Sequence, residues 1–507
     1  MGGTEDYSNS NNKGQRFYID ISATQINKDN LNELSEKIQI KVSINQINVN
    51  CSYQIQSFNL IGLQKFPLNE NSKCTIIDKN TAQLNSPIII KYIFEKEQNI
   101  MINIIKTEHG IPKQYEVKTT LGCIMGSRKN THHKKISPSE NEILVLQGEK
   151  LIKNQKIVYF KFTAISNQPI QFNDMINKFY YEIFSEDKIL YKSELIDDKG
   201  KFSPVKIPAG LFKNDNIRIM FYKYNNKEKG NYNLNIFSLE NYKKYDILIN
   251  KIPIQIISKS RLKNDYTFVD YLKAGMQIGL SVAIDFTSSN KNPNDSNSLH
   301  YIHGQDKNQY ERAILACGYI LAYYDYDQLF PCFGFGAKYK EQTLQVFNLN
   351  LKNDPNINFI QGIIEAYHEA LRVLTLWGPT YFAPIIRNMN KLIKNENVKY
   401  KYHILMILTD GMIDDMDDTI EELVESSFLP LSVIIIGVGQ ADFSCMVELD
   451  ADEKPLINSK GIQAERDLVQ FVPFLKYESN PELLANEVLA EIPRQIIEYY
   501  EKNNIDP

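Results

Sequence analysis

The sequence predicts a multidomain protein, with two antiparallel β-sandwiches followed by a doubly wound, Rossmann-like α/β domain. Apolar and polar residues alternate in short runs over residues 16–259, which is typical of half-buried strands in antiparallel sheets. After residue 261, continuous apolar runs alternate with helical segments, as in a parallel sheet covered by helices. The length of 507 residues is sufficient for roughly three domains.

The β-rich half contains many β-branched and aromatic residues with a period of two, and we predict no helix in it. Clear predicted strands are residues 37–44, 99–105, 156–162 and 216–222. The stretch 127–141 is polar and basic, which is typical of a linker. We therefore predict a flexible start, a first sandwich, a linker and a second sandwich, over residues 1–15, 16–126, 127–141 and 142–259.

The predicted α/β domain covers residues 262–500. Its buried strands are predicted at residues 278–284, 403–408 and 431–436. Its helices are predicted at residues 309–323, 362–376, 417–426 and 481–500. Ligands of such folds bind at the carboxyl ends of the strands, so functional side chains are expected there.

Composition excludes several classes of protein. The 57 basic and 61 acidic residues give a net charge of −4, which argues against a nucleic-acid-binding protein. No apolar run approaches the ~18 residues of a membrane-spanning helix, and the polar first residues do not form a secretory signal. The six cysteines are scattered as reduced cysteines are. We predict a cytoplasmic protein, with peripheral association at the plasma membrane as an open alternative.

The N-terminus raises the question of a lipid anchor. Gly2 is the residue that N-myristoylation requires, but Asp6 stands where Ser or Thr is usual. We favour an unmodified, flexible start.

Oxygen-bearing side chains follow the predicted buried strands. Asp285, Thr287 and Ser289 follow the first of these strands, Asp410 follows a later one, and Thr380 lies on a loop at the same edge. Two carboxylates and three hydroxyls, without thiolate or imidazole, suit Mg²⁺ or Mn²⁺ and would suit Zn²⁺ poorly. Each segment alone also has an ordinary explanation as a helix cap or a turn. Their joint occurrence in this chain order favours a metal site.

The D-x-T-x-S run at residues 285–289, with Thr380 and Asp410, resembles the metal-ion-dependent adhesion site of von Willebrand factor type A domains. Longer stretches resemble the copine family, namely residues 283–290, 298–301, 333–338, 378–380, 436–440, 446–450 and 465–474. This resemblance implies two N-terminal C2 domains that bind phospholipid. It also implies a C-terminal domain whose metal binds an acidic residue of a partner protein.

For the C2-like sandwiches the resemblance also implies calcium-dependent membrane binding, which requires clusters of aspartates. In the first sandwich, loop 28–36 keeps Asp29, and the loop 106–114, which we predict to oppose it, offers only Glu108. In the second, residues 177–179 and 222–229 contain no aspartate. We expect both sandwiches to be degenerate C2 domains, with calcium binding weakened or lost.

Three lysines of the last loop suggest another kind of contact. Lys223, Lys227 and Lys229 could contact an anionic membrane through charge. A solvated hairpin tip is the ordinary alternative, because charged runs usually face water.

No set of residues predicts an enzyme. Asp285 could serve as the nucleophile of a phosphohydrolase, but Thr287 occupies the position of the second aspartate that such an enzyme uses. The acidic run at residues 414–418 is interpreted as stabilising a helix N-terminus. We predict an intracellular adaptor. A structural component with protein contacts alone is the first alternative, and a phosphohydrolase is the second.

Overall fold

The computed structural model describes residues 35–47, 50–69, 72–151, 156–166, 179–196, 200–212, 216–223, 229–235, 243–249, 252–302, 304, 306–396, 398, 400–450 and 454–507. These residues fall into two compact units. One unit contains the described residues of 153–265, and the other combines those of 28–152 with those of 266–507.

The first sandwich contains ten antiparallel strands and, contrary to the prediction, one short helix. The strands are β1 (Ser35–Asn45), β2 (Cys51–Ile61), β3 (Gln64–Pro67), β4 (Ser72–Asp78), β5 (Thr81–Leu84), β6 (Ile88–Ile93), β7 (Asn99–Glu108), β8 (Ile111–Thr120), β9 (Thr131–Lys135) and β10 (Ile143–Lys150), and the helix is α1 (Leu121–Gly126). The sheet order is β8-β7-β2-β4-β5-β1-β10-β9, with β3 paired to β2 and β6 paired to β1. On β1, Ile38, Ile40 and Val42 are buried whereas Lys37 and Lys41 are exposed, which is the predicted period of two.

The boundary after this sandwich differs from the predicted one. Residues 131–135, inside the predicted linker, form β9 and pair with β10. Strand β10 pairs in turn with β1, from Ile38 opposite Lys150 to Asn45 opposite Ile143. Residues 143–150 therefore belong to the first sandwich and not to the second. The pairing joins segments far apart in the chain, so local composition gave no sign of it.

The second sandwich consists of two four-stranded antiparallel sheets. Its strands are β11 (Lys156–Ser166), β12 (Phe179–Ser185), β13 (Lys188–Lys192), β14 (Val205–Pro208), β15 (Asn216–Lys223), β16 (Lys229–Asn235), β17 (Lys243–Ile249) and β18 (Ile252–Asn264). The sheet orders are β14-β11-β18-β17 and β13-β12-β15-β16. Phe162 packs edge-to-face on Tyr181 and Phe221, which belong to the facing sheet. Strand β18 pairs with β11 as far as Asn264, so the sandwich ends beyond the predicted residue 259.

The α/β domain has the predicted doubly wound architecture, and the fold class is confirmed for all three domains. Its strands are β19 (Gln277–Asp285), β20 (Leu329–Tyr339), β21 (Gln342–Asn348), β22 (Asn356–Asn358), β23 (Thr375–Leu376), β24 (Lys401–Thr409), β25 (Leu431–Gly437) and β26 (Val469–Pro473). The sheet order is β21-β20-β19-β24-β25-β26. Pairing is parallel from β20 to β26 and antiparallel at the β21 edge.

The helices of this domain match the prediction in part. They are α2 (Phe268–Lys273), α3 (Gln309–Ala322), α4 (Phe359–Val373), α5 (Ala383–Asn395), α6 (Met416–Ser426), α7 (Ser444–Asp450), α8 (Pro481–Leu489) and α9 (Ile492–Lys502). The single helix predicted at residues 481–500 is two helices, because Pro493 lacks a backbone N–H and starts the second one. Helix α5 was not predicted. Within the described part of the chain, no helix has the length and hydropathy needed to cross a bilayer.

The first sandwich and the α/β domain share one hydrophobic core. The Phe94 ring lies 4.9 Å from that of Phe268, edge-to-face, and 5.0 Å from that of Tyr324. The hydroxyls of Tyr92 and Tyr324 are hydrogen-bonded at 2.5 Å. Gly126 lies so close to the backbone carbonyl of Tyr323 that a Cβ atom would overlap it. These contacts make the first sandwich and the α/β domain one packed body.

This shared core predicts coupled unfolding. Phe94→Ala should destabilise both domains by about 3–5 kcal/mol, because it removes a buried aromatic ring from their interface. Differential scanning calorimetry should show one transition, shared by the first sandwich and the α/β domain, moving to lower temperature. The matched control is Phe162→Ala, which should lower only the transition of the second sandwich. An α/β transition that stays unchanged in Phe94→Ala would contradict the shared core.

Candidate metal centre

Asp285 is the last residue of β19 and is fully buried at the carboxyl edge of the sheet. One carboxylate oxygen accepts hydrogen bonds from the backbone N–H (2.8 Å) and the hydroxyl (2.6 Å) of Thr287. The other accepts a hydrogen bond of 2.6 Å from the hydroxyl of Thr409, the last residue of β24. The adjacent parallel strands β19 and β24 therefore end in one polar cluster.

A chain of hydrogen bonds runs from Asp285 to Asp410. The hydroxyls of Thr287 and Ser289 lie 2.8 Å apart, and the Ser289 hydroxyl donates to Asp410 Oδ1 at 2.9 Å. Thr287 and Asp410 are buried, whereas Ser289 is exposed. Four of the five predicted metal-site residues thus lie in one connected cluster that opens to solvent at Ser289.

Thr380, the fifth predicted residue, is fixed to the same edge through the backbone. Its N–H donates to Asp414 Oδ2 at 2.8 Å, and its carbonyl accepts from the Asp414 N–H at 2.9 Å. Earlier in the loop, the carbonyl of Trp377 accepts from the Ser288 N–H at 2.7 Å, and its N–H donates to Phe286 and Gly336. The loop that carries Thr380 is therefore hydrogen-bonded to both loops that carry the other predicted ligands.

Three residues that support this cluster were not predicted from the sequence. Thr409 holds Asp285, and Asp414 holds the backbone of Thr380. Gly336 has a φ of +74°, and a Cβ atom there would overlap the methyl group of Thr287. The T-D-G run at residues 409–411 carried a signal for Thr409, because a hydroxyl at a strand end can reach the neighbouring strand end.

The acidic run at residues 414–418 has more than the predicted role. Asp417 and Asp418 lie in the first turn of α6, as expected for residues that stabilise a helix N-terminus. Asp415 instead accepts hydrogen bonds from the backbone N–H groups of Phe382 (3.0 Å) and Ala383 (2.9 Å), at the start of α5. This run therefore connects α6 both to α5 and to the Thr380 loop.

Ionisation of the two carboxylates of the cluster is unfavourable, because the pKa of each is raised. Burial, and then the charge of Asp285, raise the pKa of Asp410 to about 7. Burial also raises the pKa of Asp285, although the hydrogen bonds from Thr287 and Thr409 oppose that change. A divalent cation would offset the repulsion between the two carboxylates, as bound cations do at such sites.

The donor set fits a hard divalent cation. Its atoms are carboxylate and hydroxyl oxygens, which Mg²⁺ and Mn²⁺ prefer. In the described part of the chain, no three His, Cys, Asp or Glu side chains lie close enough together to hold a metal ion. A metal at this cluster would consequently depend on the hydroxyls of Thr287, Ser289 and Thr380 as well as on the two aspartates.

Comparison with protein families gives a match over the C-terminal part of the chain. The family model described as Copine matches residues 298–507. Over these residues the chain is similar to the copine family. Thr380 and Asp410 lie inside the matched range. Residues 285–289 precede it and join the domain through β19 and the hydrogen bonds described above.

Solved structures resemble parts of the chain. A manganese-loaded TRAP protein of Plasmodium vivax is 14% identical, over 44% of this chain and 74% of its own, with a TM-score of 0.28. The VWA domain of SpRpn10 is 12% identical over 42% and 94%, with a TM-score of 0.27. The two adjacent C2 domains of extended-synaptotagmin 2 are 9% identical over 52% and 100%, with a TM-score of 0.18. These likenesses are too partial to support a functional conclusion.

The structure corrects the predicted calcium loops of the first sandwich. Ser35 pairs with Ile93 at the start of β1, whereas Glu108 pairs with Cys51 at the opposite end of the sandwich. Ser35 and Glu36, the described end of the first segment, therefore lie at the opposite end of the sandwich from the loop at residues 106–114. Asp29 lies outside the described residues.

A lysine neutralises the buried carboxylates near the second of these loops. Lys106 contacts Glu140 at 2.9 Å and Glu142 at 2.6 Å, and its side chain is 7% exposed. Burial lowers the pKa of Lys106, but its hydrogen bonds to Glu142 and Glu140 outweigh this and raise it. Hydrogen bonds from Tyr115 and Lys106 lower the pKa of Glu140 to about 2. Both carboxylates are therefore paired with an internal cation.

The predicted membrane-contact lysines lie in the second sandwich. Lys223 ends β15 and Lys229 begins β16, and the two strands pair as a hairpin. Lys227 lies outside the described residues, so the surface formed by the three lysines stays a prediction.

Removal of one hydroxyl tests the metal centre. Ser289→Ala should weaken Mg²⁺ binding at least about tenfold, because it deletes the group that connects Thr287 to Asp410. Trp377 is the only tryptophan, and its carbonyl is bound to the Ser288 N–H, so its fluorescence should report the titration. Ser288→Ala is the matched control, since this neighbouring serine is also exposed and keeps its backbone bond. Equal Mg²⁺ affinities of the two variants in calorimetry would contradict the proposed centre.

Proposed function

We propose that this chain is an adaptor that binds a partner protein through a metal ion in its α/β domain. Asp285, Thr287, Ser289, Thr380 and Asp410 would hold Mg²⁺ or Mn²⁺. The observation that supports this best is the hydrogen-bond chain from buried Asp285 to Asp410, which gathers oxygen donors from two strand ends. The set offers five oxygen-bearing groups to an ion that prefers six oxygen ligands, so one coordination position would remain for an acidic side chain of the partner.

A phosphohydrolase is less consistent with the same contacts. Both oxygens of Asp285 already accept hydrogen bonds, three in all, from Thr287 and Thr409. Thr287 also stands where the second aspartate of such an enzyme would act as acid and base. We therefore propose binding without chemical turnover as the function of this centre.

We further propose that the sandwiches dock the α/β domain to an anionic phospholipid surface, or to a larger assembly, without calcium. The Lys106 ion pairs support the absence of calcium binding in the first sandwich. Lys223, Lys227 and Lys229 of the second sandwich would supply charge attraction to lipid. A cytoplasmic location, peripheral to the plasma membrane, belongs to the same proposal. A structural component without membrane contact is the alternative.

Metal-dependent capture tests the partner-binding role. We expect the wild-type chain to retain a defined set of proteins in Mg²⁺ and to release it in EDTA. Asp410→Asn should fail to retain that set, because it removes a charged metal ligand. The Ser288→Ala variant should behave as wild type. Retention that is identical with Mg²⁺ and EDTA would contradict the proposal.

Liposome sedimentation tests the membrane role. Replacing Lys223, Lys227 and Lys229 with Gln should weaken binding to anionic liposomes by about 3 kcal/mol, roughly 150-fold. The control replaces Lys73, Lys79 and Lys113, which are exposed lysines of the first sandwich. Binding should fall as salt is raised and should not change when calcium is chelated. Calcium-dependent sedimentation would contradict this part of the proposal, and no sedimentation with intact protein capture would favour the structural alternative.

A further inference from the structure

An exposed aromatic ring stands beside the proposed metal centre. Trp377 is 48% exposed, although the preceding residue, Leu376, is buried. Its N–H donates to Phe286 at 3.1 Å and Gly336 at 2.9 Å, and its carbonyl accepts from Ser288 at 2.7 Å. The backbone beneath the ring is therefore fixed, and the ring is presented to solvent at little further cost in conformational entropy.

The ring lies within reach of any group bound to the metal. Trp377 forms an isolated parallel β-bridge with Thr287, whose hydroxyl belongs to the donor set. Adjacent backbones in such pairs are about 4.8 Å apart. A residue one or two positions from a metal-bound acidic residue could therefore contact the ring, because an extended peptide advances about 3.3 Å per residue.

A second exposed apolar side chain follows another of the proposed ligands in the chain. Met412 is 61% exposed and follows Asp410 by two residues, whereas Ile413 next to it is buried. Two of the loops that carry proposed ligands thus each present one large apolar side chain to solvent. Tryptophan and methionine are enriched where protein interfaces are buried, and tryptophan is prominent among residues that dominate binding energy.

The charge around the centre is uneven. The Lys338 ammonium lies 3.4 Å from the centre of the Trp377 ring, which places a positive charge on that side. Beyond Asp414, an open groove of about 650 Å³ is lined by Asp417 and Asp418. A bound segment should consequently avoid basic residues beside Trp377.

We propose that Trp377 and Met412 form an apolar docking surface continuous with the metal centre. The occupant would be a partner segment in which a large apolar residue stands within two positions of the acidic residue that binds the metal. The contact with Trp377 would supply most of the selectivity, and Lys338 would disfavour Lys or Arg at the apolar position. This inference rests on the proposed function and specifies the partner that the centre would accept.

The test selects peptides against the intact chain. A phage-displayed library with a fixed central Asp and two randomised positions on each side is bound in Mg²⁺ and eluted with EDTA. We expect the eluted peptides to be enriched in Leu, Phe or Met on one side of the Asp and depleted in Lys and Arg there. Selected peptides should bind Trp377→Ala at least about tenfold more weakly, and Met412→Ala more weakly by a smaller factor.

The control variant is Tyr339→Ala. Tyr339 is 43% exposed and has the ammonium of Lys340 5.3 Å from its ring centre, so it matches Trp377 in exposure and in its neighbouring charge. Tyr339→Ala should bind the peptides as wild type does. Calorimetry should show unchanged Mg²⁺ binding by Trp377→Ala, which separates loss of the docking surface from loss of the metal.

The possible outcomes separate the inference from the function on which it rests. Asp-containing peptides without apolar enrichment, or equal binding by Trp377→Ala and Tyr339→Ala, would overturn the docking surface and leave metal-dependent binding intact. If no peptide depends on Mg²⁺ for binding to wild type, the proposed function itself is contradicted.

Discussion

The buried carboxylate of Asp285 is the constraint on which the C-terminal domain depends. It ends one parallel strand, and through Thr409 it is bound to the end of the next, so that two strand ends share one polar cluster. A buried carboxylate is tolerated only where hydrogen bonds or a cation compensate for its lost hydration. Here three hydrogen bonds do so, and each comes from a residue that also shapes the neighbouring loops. The geometry of the cluster and the stability of the sheet edge therefore have the same origin.

The sequence allowed the main features of this domain to be predicted because their signals are local. Strands buried on both faces, such as β19, β24 and β25, are continuous apolar runs, and a β-rich half with a period of two could be recognised without its topology. Features that depend on distant contacts were missed. Strand β10 was assigned to the wrong sandwich because its partner β1 lies far upstream. Asp414 gave no sign that it would hold Thr380, because two loops had to meet first.

Two differences between the predicted and the observed helices have a local signal in the sequence. Pro493 marks the break between α8 and α9, and Pro384 stands in the first turn of α5, where proline is favourable. In α5, Ile385, Ile386, Met389 and Ile393 are buried on one face, a spacing that the sequence already displayed. The calcium loops differ from these helices, because part of their explanation is visible only in the fold. The scarcity of aspartates was visible in the sequence, but the Lys106 ion pairs and the opposite positions of the two segments required the fold.

The two ends of the second sandwich lie side by side, since Lys156 pairs with Asn264 on adjacent strands. The chain therefore enters and leaves this sandwich at two neighbouring positions. Inserted domains have this geometry. Their two ends are adjacent, so the surrounding domain is interrupted at a single place in its structure. Changes in the length or surface of the second sandwich therefore need not disturb the core that the first sandwich shares with the α/β domain.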